Sequence, residues 1–247
     1  MPRQLVSVLG CALLATVTAG CAVMNTSVMD TAEMIERGHV DVGAEYSLGL
    51  DLTTAVLLED DTSKSFTADR LAGSQTLGFR VGYGLFENLE LRARLWASIG
   101  GVGAALSGKY GLPTGGARTS FAVAPGINAV TTESEGDDGS LEDWVADVSS
   151  LGVEIPLLVT YRLSGRVALT GALRYSIDVI DITFPEGSGL VDLNGTFTLH
   201  RLGIVNGWTF ELGPLYLQPE VGVELASQIN GDLGVIPVIA LGGGLKF

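Results

Sequence analysis

The sequence predicts an all-β protein, a transmembrane antiparallel up-and-down β-barrel of about ten strands. The chain has 247 residues, is 47% hydrophobic and has a mean hydropathy of +0.38, which is high for a soluble protein. Beyond the N-terminus, however, it lacks the run of roughly 18 apolar residues that a membrane helix needs. Apolar residues instead alternate with polar or small ones, as in strands that face lipid on one side and pair every backbone group with a neighbouring strand. A soluble β-sandwich is the alternative fold.

Segments with this period-2 pattern follow one another from residue 38 to the C-terminus. Their approximate bounds are 38–52, 73–85, 89–95, 101–112, 118–130, 151–163, 167–177, a strand of undetermined phase within 191–210, 215–225 and 235–247. Turn residues separate them, as at Glu87-Asn88, Ser164-Gly165 and Gly213-Pro214. The pattern therefore predicts hairpins joined one after another along the chain.

Four prolines fall inside the predicted strands: Pro125, Pro156, Pro219 and Pro237. Each lacks the N–H group that a central strand donates to its neighbour. We therefore expect bulges at these positions, or one misplaced strand boundary.

The connection lengths predict an orientation. The connections after strands two, four, six and eight are short, whereas those after one, five and seven are long. Barrels of this class have short periplasmic turns and longer outer loops. With an even number of strands, both ends of the barrel domain are expected in the periplasm. The brief junction at residues 99–101, after strand three, is the exception to this pattern.

The last strand carries a family resemblance. One of its faces is apolar and ends on the terminal aromatic residue: Val235, Ile239, Leu241, Leu245 and Phe247. This ending resembles the C-terminal strand of bacterial outer-membrane β-barrels, in which a terminal Phe is the assembly signal. The resemblance implies that Phe247 is read by the barrel-assembly machinery during biogenesis. It also implies that the protein lies in the outer membrane of a Gram-negative bacterium, in contact with outer-membrane lipids and lipopolysaccharide.

The N-terminus predicts export. Residues 1–20 combine a positive Arg3, a short apolar stretch and small residues before Cys21, which is the pattern of a signal peptide. The sequence Thr-Ala-Gly-Cys at 18–21 also resembles the lipobox of bacterial lipoproteins, which implies acylation of Cys21. Residues 21–37 are then expected to form a periplasmic tether, followed by the barrel at 38–247.

Alternation also places charged side chains inside the predicted barrel, seven acidic and seven basic: Asp41, Glu45, Glu90, Glu154, Asp178, Glu220, Glu224, Arg80, Arg92, Arg94, Lys109, Arg118, Arg162 and Arg174. A barrel of about eight strands is just filled by its own side chains, whereas porins with an open channel have roughly 16 or more strands. Because buried charges must be paired, we expect a salt-bridged, narrow lumen.

The net charge of −14 lies largely in the long connections, notably at 59–61 and 133–147. Acidic loops of this kind repel nucleic acid and are usually solvated surface. Carboxylates in the 135–147 loop suggest calcium binding, but the spacing of an EF-hand is absent. The sequence therefore predicts no metal site and no cofactor.

Catalytic patterns are sparse. His39 and His200 are the only histidines, and His200 would approach Glu224 if the hairpin pairs as traced. Membrane hydrolases can use a His–carboxylate pair of this kind to activate a nucleophile, but no nucleophile motif accompanies it in this sequence. The P-loop-like stretch 103–110 has Tyr110 where the hydroxyl ligand should be. We therefore predict a structural or interaction role, with a protein partner that the sequence does not identify. A narrow passive channel and a membrane-embedded hydrolase are the alternatives.

Overall fold

The computed structural model describes residues 23–51, 74–98, 101–113, 116–132, 147–183, 194–228 and 233–247. These residues form β1 (Val23–Asn25), β2 (Val40–Asp51), β3 (Ser74–Phe86), β4 (Leu89–Ser98), β5 (Gly101–Leu112), β6 (Thr119–Val123), β7 (Gly126–Thr132), β8 (Asp147–Ser164), β9 (Val167–Thr183), β10 (Gly195–Leu212), β11 (Leu215–Gln228) and β12 (Leu233–Lys246). Within these ranges no helix is long and apolar enough to cross a membrane.

Strands β2 to β12 form a closed antiparallel barrel. Apart from β6 and β7, each strand pairs with the next along the chain, and residues 240–246 of β12 return to pair with residues 41–47 of β2. Strands β6 and β7 share one position between β5 and β8, so the barrel has ten strand positions. The predicted fold class and strand number are confirmed.

The fifth predicted strand is divided at Pro125. Around the break, the amide of Ala124 donates to the Pro156 carbonyl over 3.0 Å, and the amide of Gly108 donates to the Pro125 carbonyl over the same distance. Pro125 and Pro156, on adjacent strands, thus lie at the same break in the strand pairing, where the absence of their N–H groups costs least. Pro219 and Pro237 lie within continuous strands, so the bulges expected there are absent.

The barrel has an apolar outer face and two distinct ends. Outward side chains such as Phe79 (60% exposed) and Leu151 (65%) would meet only lipid. Two-residue turns at 87–88, 165–166 and 213–214 define what we call the turn end. Gly213 has a φ of +71° in the last of these turns, a conformation that glycine adopts without strain. The opposite end, the loop end, carries the connections with acidic residues, which lie outside the described residues.

Exposed aromatic side chains gather at the turn end: Tyr83, Phe86, Tyr110, Tyr161, Phe210 and Phe247. Amphipathic and aromatic rings are favoured at the boundary between lipid and water. The girdle therefore marks where the turn end leaves the membrane. In outer-membrane barrels the short turns lie on the periplasmic side, so the turn end is the end expected there.

The N-terminal region differs from the predicted tether. Residues 24–30 are buried, and the segment runs inside the barrel rather than beside it. Alternation could not reveal this, because the segment has little regular structure and its partners come from strands far away in sequence. The predicted signal peptide and Cys21 lie outside the described residues, so export and acylation stay predictions.

Candidate functional site: the barrel lumen

The lumen is occupied by the N-terminal segment, residues 23–36, which we call the lumen segment. At the loop end, β1 pairs antiparallel with residues 49–51 of β2. At the turn end, the chain leaves the lumen where the Gly38 amide donates to the Gly84 carbonyl over 2.8 Å. A kink with a positive φ of 43° at Met29 lies between the two ends. The segment thus crosses the barrel along its axis.

Room for the segment is provided by the wall. At Gly84, a Cβ atom would lie 2.3 Å from the Glu36 carbonyl oxygen and 2.6 Å from that of Ile35. At Gly242, it would lie 2.8 Å from the sulfur of Met29. All three distances are too short for a real Cβ contact. At Gly84 the close atoms belong to the backbone of the segment, so this wall position accepts the segment only because it is glycine.

An apolar layer closes the loop-end half of the lumen around Met24. Inward side chains from six wall strands and one partial strand surround it: Trp96, Val130, Val148, Ile180, Ile182, Leu199, Ala226 and Ile236. Met24 itself is 1% exposed, and burying such a side chain contributes about 1.5–3 kcal/mol. The segment therefore completes a hydrophobic core that the barrel wall alone would leave open.

Charged groups fill the layer below. Lys109 Nζ lies 2.8 Å from Glu90 and 3.1 Å from Asp30, and Arg92 lies 2.8 Å from Asp30. On the other side of the lumen, Arg201 lies 2.9 Å from Asp178 and 3.0 Å from Glu224, which also pairs with Arg174. Each of these charges has an opposite charge in contact, as burial requires.

Wall side chains also satisfy the backbone of the lumen segment. Arg94 donates to the carbonyls of Ser27 (3.0 Å) and Val28 (2.6 Å), and Glu220 accepts from the Val28 amide (3.0 Å). Further down, such bonds run from Lys109 to the carbonyls of Thr31 (2.9 Å) and Glu33 (2.8 Å), and from the Ala32 amide to Thr160 (2.7 Å). The segment has no strand ladder below β1, so these bonds replace one. The lumen charges thus hold an extended peptide as well as each other.

An ion cluster closes the turn end. Arg162 contacts Glu33 of the lumen segment and lies 3.0 Å from Glu211, and Lys246 lies 2.8 Å from Glu211. These groups stand beside Tyr161 and Phe210 of the girdle, on the side of the turns, and so lie outside the membrane. Hydrogen bonds from Arg162, helped by Lys246, lower the pKa of the Glu211 carboxyl to about 2 against the opposing effect of partial burial.

The ion cluster at the turn end makes the free energy of unfolding depend on pH. Because the pKa of Glu211 is lowered on folding, its contribution is complete above its ordinary pKa of 4.5 and is lost as the pH falls toward about 2. We expect Glu211→Gln to remove that part of the pH dependence. The measurement is the urea midpoint of the detergent-solubilised barrel at pH 2 to 7. Glu87→Gln, at an exposed turn carboxylate, is the control, and equal pH profiles for the two variants would contradict the assignment.

Most of the charges predicted to face inward do so. Nine are buried: Asp41, Glu45, Arg80, Glu90, Lys109, Arg174, Asp178, Glu220 and Glu224. Arg92, Arg94 and Glu154 are partly buried at the lumen cavity, and Arg162 lies at the rim. Arg118 was wrongly placed in the lumen, since it stands exposed in the turn before β6.

The prediction missed Arg201, Asp30 and Glu33. Arg201 faces inward with Leu199 and Val205, an alternation on β10 that could have fixed the phase of this strand. His200 consequently faces outward, where its Nδ1 lies 2.9 Å from the Tyr175 hydroxyl. The approach of His200 to Glu224 is therefore wrong, and Arg201 takes that place. Asp30 and Glu33 had no signal, because their segment was expected outside the barrel.

The described residues offer little for chemistry beyond pairing and packing. His39 lies at the turn end, 3.9 Å from Glu36. Within the described ranges no group of three His, Cys, Asp or Glu side chains could hold a metal ion. A cavity of about 40 Å³ remains among Ser27, Asp30, Arg80, Arg94 and Arg174, which is room for a few water molecules.

A closed barrel with an apolar outer belt, an aromatic girdle and a polar interior is suited to span a lipid bilayer. The protein has the fold of a transmembrane β-barrel. No protein-family model and no curated protein matches its sequence.

The solved structures that match the chain include outer-membrane proteins. The attachment invasion locus protein Ail of Yersinia pestis is 13% identical, with a TM-score of 0.38 over 85% of this chain and 99% of that one. OprG from Pseudomonas aeruginosa is 14% identical, with a TM-score of 0.37 over 88% and 99%. The N-terminal barrel domain of Pseudomonas aeruginosa OprF is 12% identical, with a TM-score of 0.33 over 85% and 98%.

Proposed function

We propose that the protein is a closed barrel whose rigid body carries its outer loops for interaction with a partner at the cell surface. The observation that carries this proposal is the filled lumen. Apolar packing around Met24 blocks the loop-end half, the Lys109 and Arg174 ion pairs block the middle, and Arg162 with Glu33 blocks the turn end. A barrel with a filled lumen is better suited to presenting its loops to a partner than to letting solutes pass.

Two observations speak against the alternatives. A passive channel needs a continuous aqueous path, and the cavity at Arg80 and Arg174 holds only a few waters. A membrane hydrolase needs an oriented base near a nucleophile, and His200 instead faces outward beside Tyr175. The net charge of −14, much of it in the loop sequences, favours a partner surface that is positively charged or bridged by divalent cations.

Excision of the acidic loops tests the proposal. We expect variants lacking residues 58–69 or 133–146 to stay folded, as judged by heat-modifiable electrophoresis, because the loops lie beyond the paired strands. The measurement is the binding of a polycationic probe, and of partner molecules from the cell surface, to the purified barrel in lipid vesicles. A variant with Gly-Ser residues inserted in the 165–166 turn is the control. Unchanged binding after both loop excisions would contradict the interaction role.

A further inference from the structure

The direction of the lumen segment has a topological consequence. Strand β2 runs from the turn end at Val40 to the loop end at Asp51, and β1 pairs with its last three residues antiparallel. Read backward from the barrel, the chain therefore enters the lumen at the turn end and reaches the loop end at Val23.

The length of the segment is sufficient for this crossing. From residue 49 back to residue 40, β2 makes nine steps of about 3.3 Å, or roughly 30 Å along the strand. From residue 25 to residue 38 the chain makes thirteen such steps, or up to about 43 Å when fully extended. The excess is taken up by the kink at Met29 and the turn at Gly38, both of which have positive φ. The segment spans the whole lumen once.

The lumen has no room for the chain to return. A second passage would need space beside residues 27–35, where the wall side chains already contact the segment from several sides. The cavity that remains there is about 40 Å³, which has room for a few water molecules but not for a second stretch of polypeptide. A chain that reaches Val23 from below can therefore leave only at the loop end.

The barrel seam fits this exit. Strand β12 pairs with β2 only up to Ser47, and β1 takes the same edge of β2 from Gly49 onward. The N-terminal strand thus occupies the place that the closing strand leaves open, at the loop end.

We infer that the protein threads its own barrel, so that Val23, the first residue that the structure describes, lies at the outer face of the membrane. The loop end is the outer end by the asymmetry of turns and loops. Acylation of Cys21, which the lipobox resemblance predicts, would place the lipid in the outer leaflet rather than on the periplasmic side. The barrel then carries both its loops and its N-terminus on the cell surface.

An epitope tag inserted between Ala22 and Val23 tests the inference in intact cells. We expect an antibody to bind this tag without permeabilisation, as strongly as it binds a tag within residues 133–146. A tag in the turn at Gly165 is the matched periplasmic control and should bind only after permeabilisation. An N-terminal tag that also requires permeabilisation would overturn the inference.

A cross-link keeps the test independent of the inserted tag. The Ser47 hydroxyl lies 3.5 Å from the Asn25 side chain near the loop end. We therefore expect the pair Asn25→Cys and Ser47→Cys to form a disulfide that mass spectrometry detects. The pair Asn25→Cys and Arg162→Cys, with its second cysteine at the turn end, should not. The opposite pattern would place the start of the segment at the periplasmic end and overturn the inference.

Discussion

Replacing Lys109 by methionine is expected to destabilise the barrel by about 3–5 kcal/mol, the usual cost of breaking a buried ion pair. Lys109 is fully buried and contacts the carboxylates of Glu90 and Asp30. Its ammonium also donates to the carbonyls of Thr31 and Glu33. Methionine has a similar length but no charge, so both carboxylates and both carbonyls would lose a partner without a change in packing volume.

The measurement is urea unfolding of the barrel in lipid vesicles, followed by tryptophan fluorescence. Lys246→Met is the matched control, because the same change is made at a lysine that is 44% exposed, pairs with Glu211 and lies 5.4 Å from the centre of the Tyr216 ring. Exposed ion pairs contribute about 0–1 kcal/mol, so the control should stay close to wild type. Equal losses in the two variants would mean that water, rather than Lys109, satisfies Glu90 and the lumen segment.

Lys109 also illustrates what the sequence could predict. It was placed inward because β5 alternates, and that requires only local information. Glu90 was placed inward by the same reasoning on β4, and the register between the two strands follows from a short hairpin. The partner Asp30 was not predictable in this way, because its backbone has no period and its contacts depend on the closed barrel. Local periodicity thus predicted the strands of the barrel wall, whereas the contents of the lumen depend on contacts between residues far apart in the sequence.

Arg118 and Arg201 show the other limit of alternation. Arg118 sits one residue before β6 begins, and a strand boundary placed slightly too early turned an exposed turn residue into a lumen residue. Arg201 was left out because β10 begins with an irregular run in which neither face is clearly apolar. A shift of one residue moves every side chain of a strand to the other face. The phase of β10 becomes clear only from the charges that pair with Arg201, which are Asp178 on β9 and Glu224 on β11.

Removing the lumen segment is expected to turn a silent barrel into a conducting one. Wild-type protein in planar bilayers should give no single-channel events, since the Met24 layer, the ion pairs and the Arg162 cluster block the path in series. In a variant lacking residues 24–36, the apolar layer loses its centre and the wall charges lose their backbone partners. Water must then solvate those charges, because leaving them buried and unpaired costs several kcal/mol each.

The resulting path should conduct ions with weak selectivity, because acidic and basic wall side chains remain in nearly equal number around it. A second variant guards against misfolding: residues 24–36 replaced by glycine and serine at the same length keep the connection but not the packing. Heat-modifiable electrophoresis verifies that both variants are folded. If a folded variant stays silent, the wall side chains close the lumen by themselves, as a purely salt-bridged lumen would. If it conducts, the N-terminal segment is the part that keeps this barrel shut.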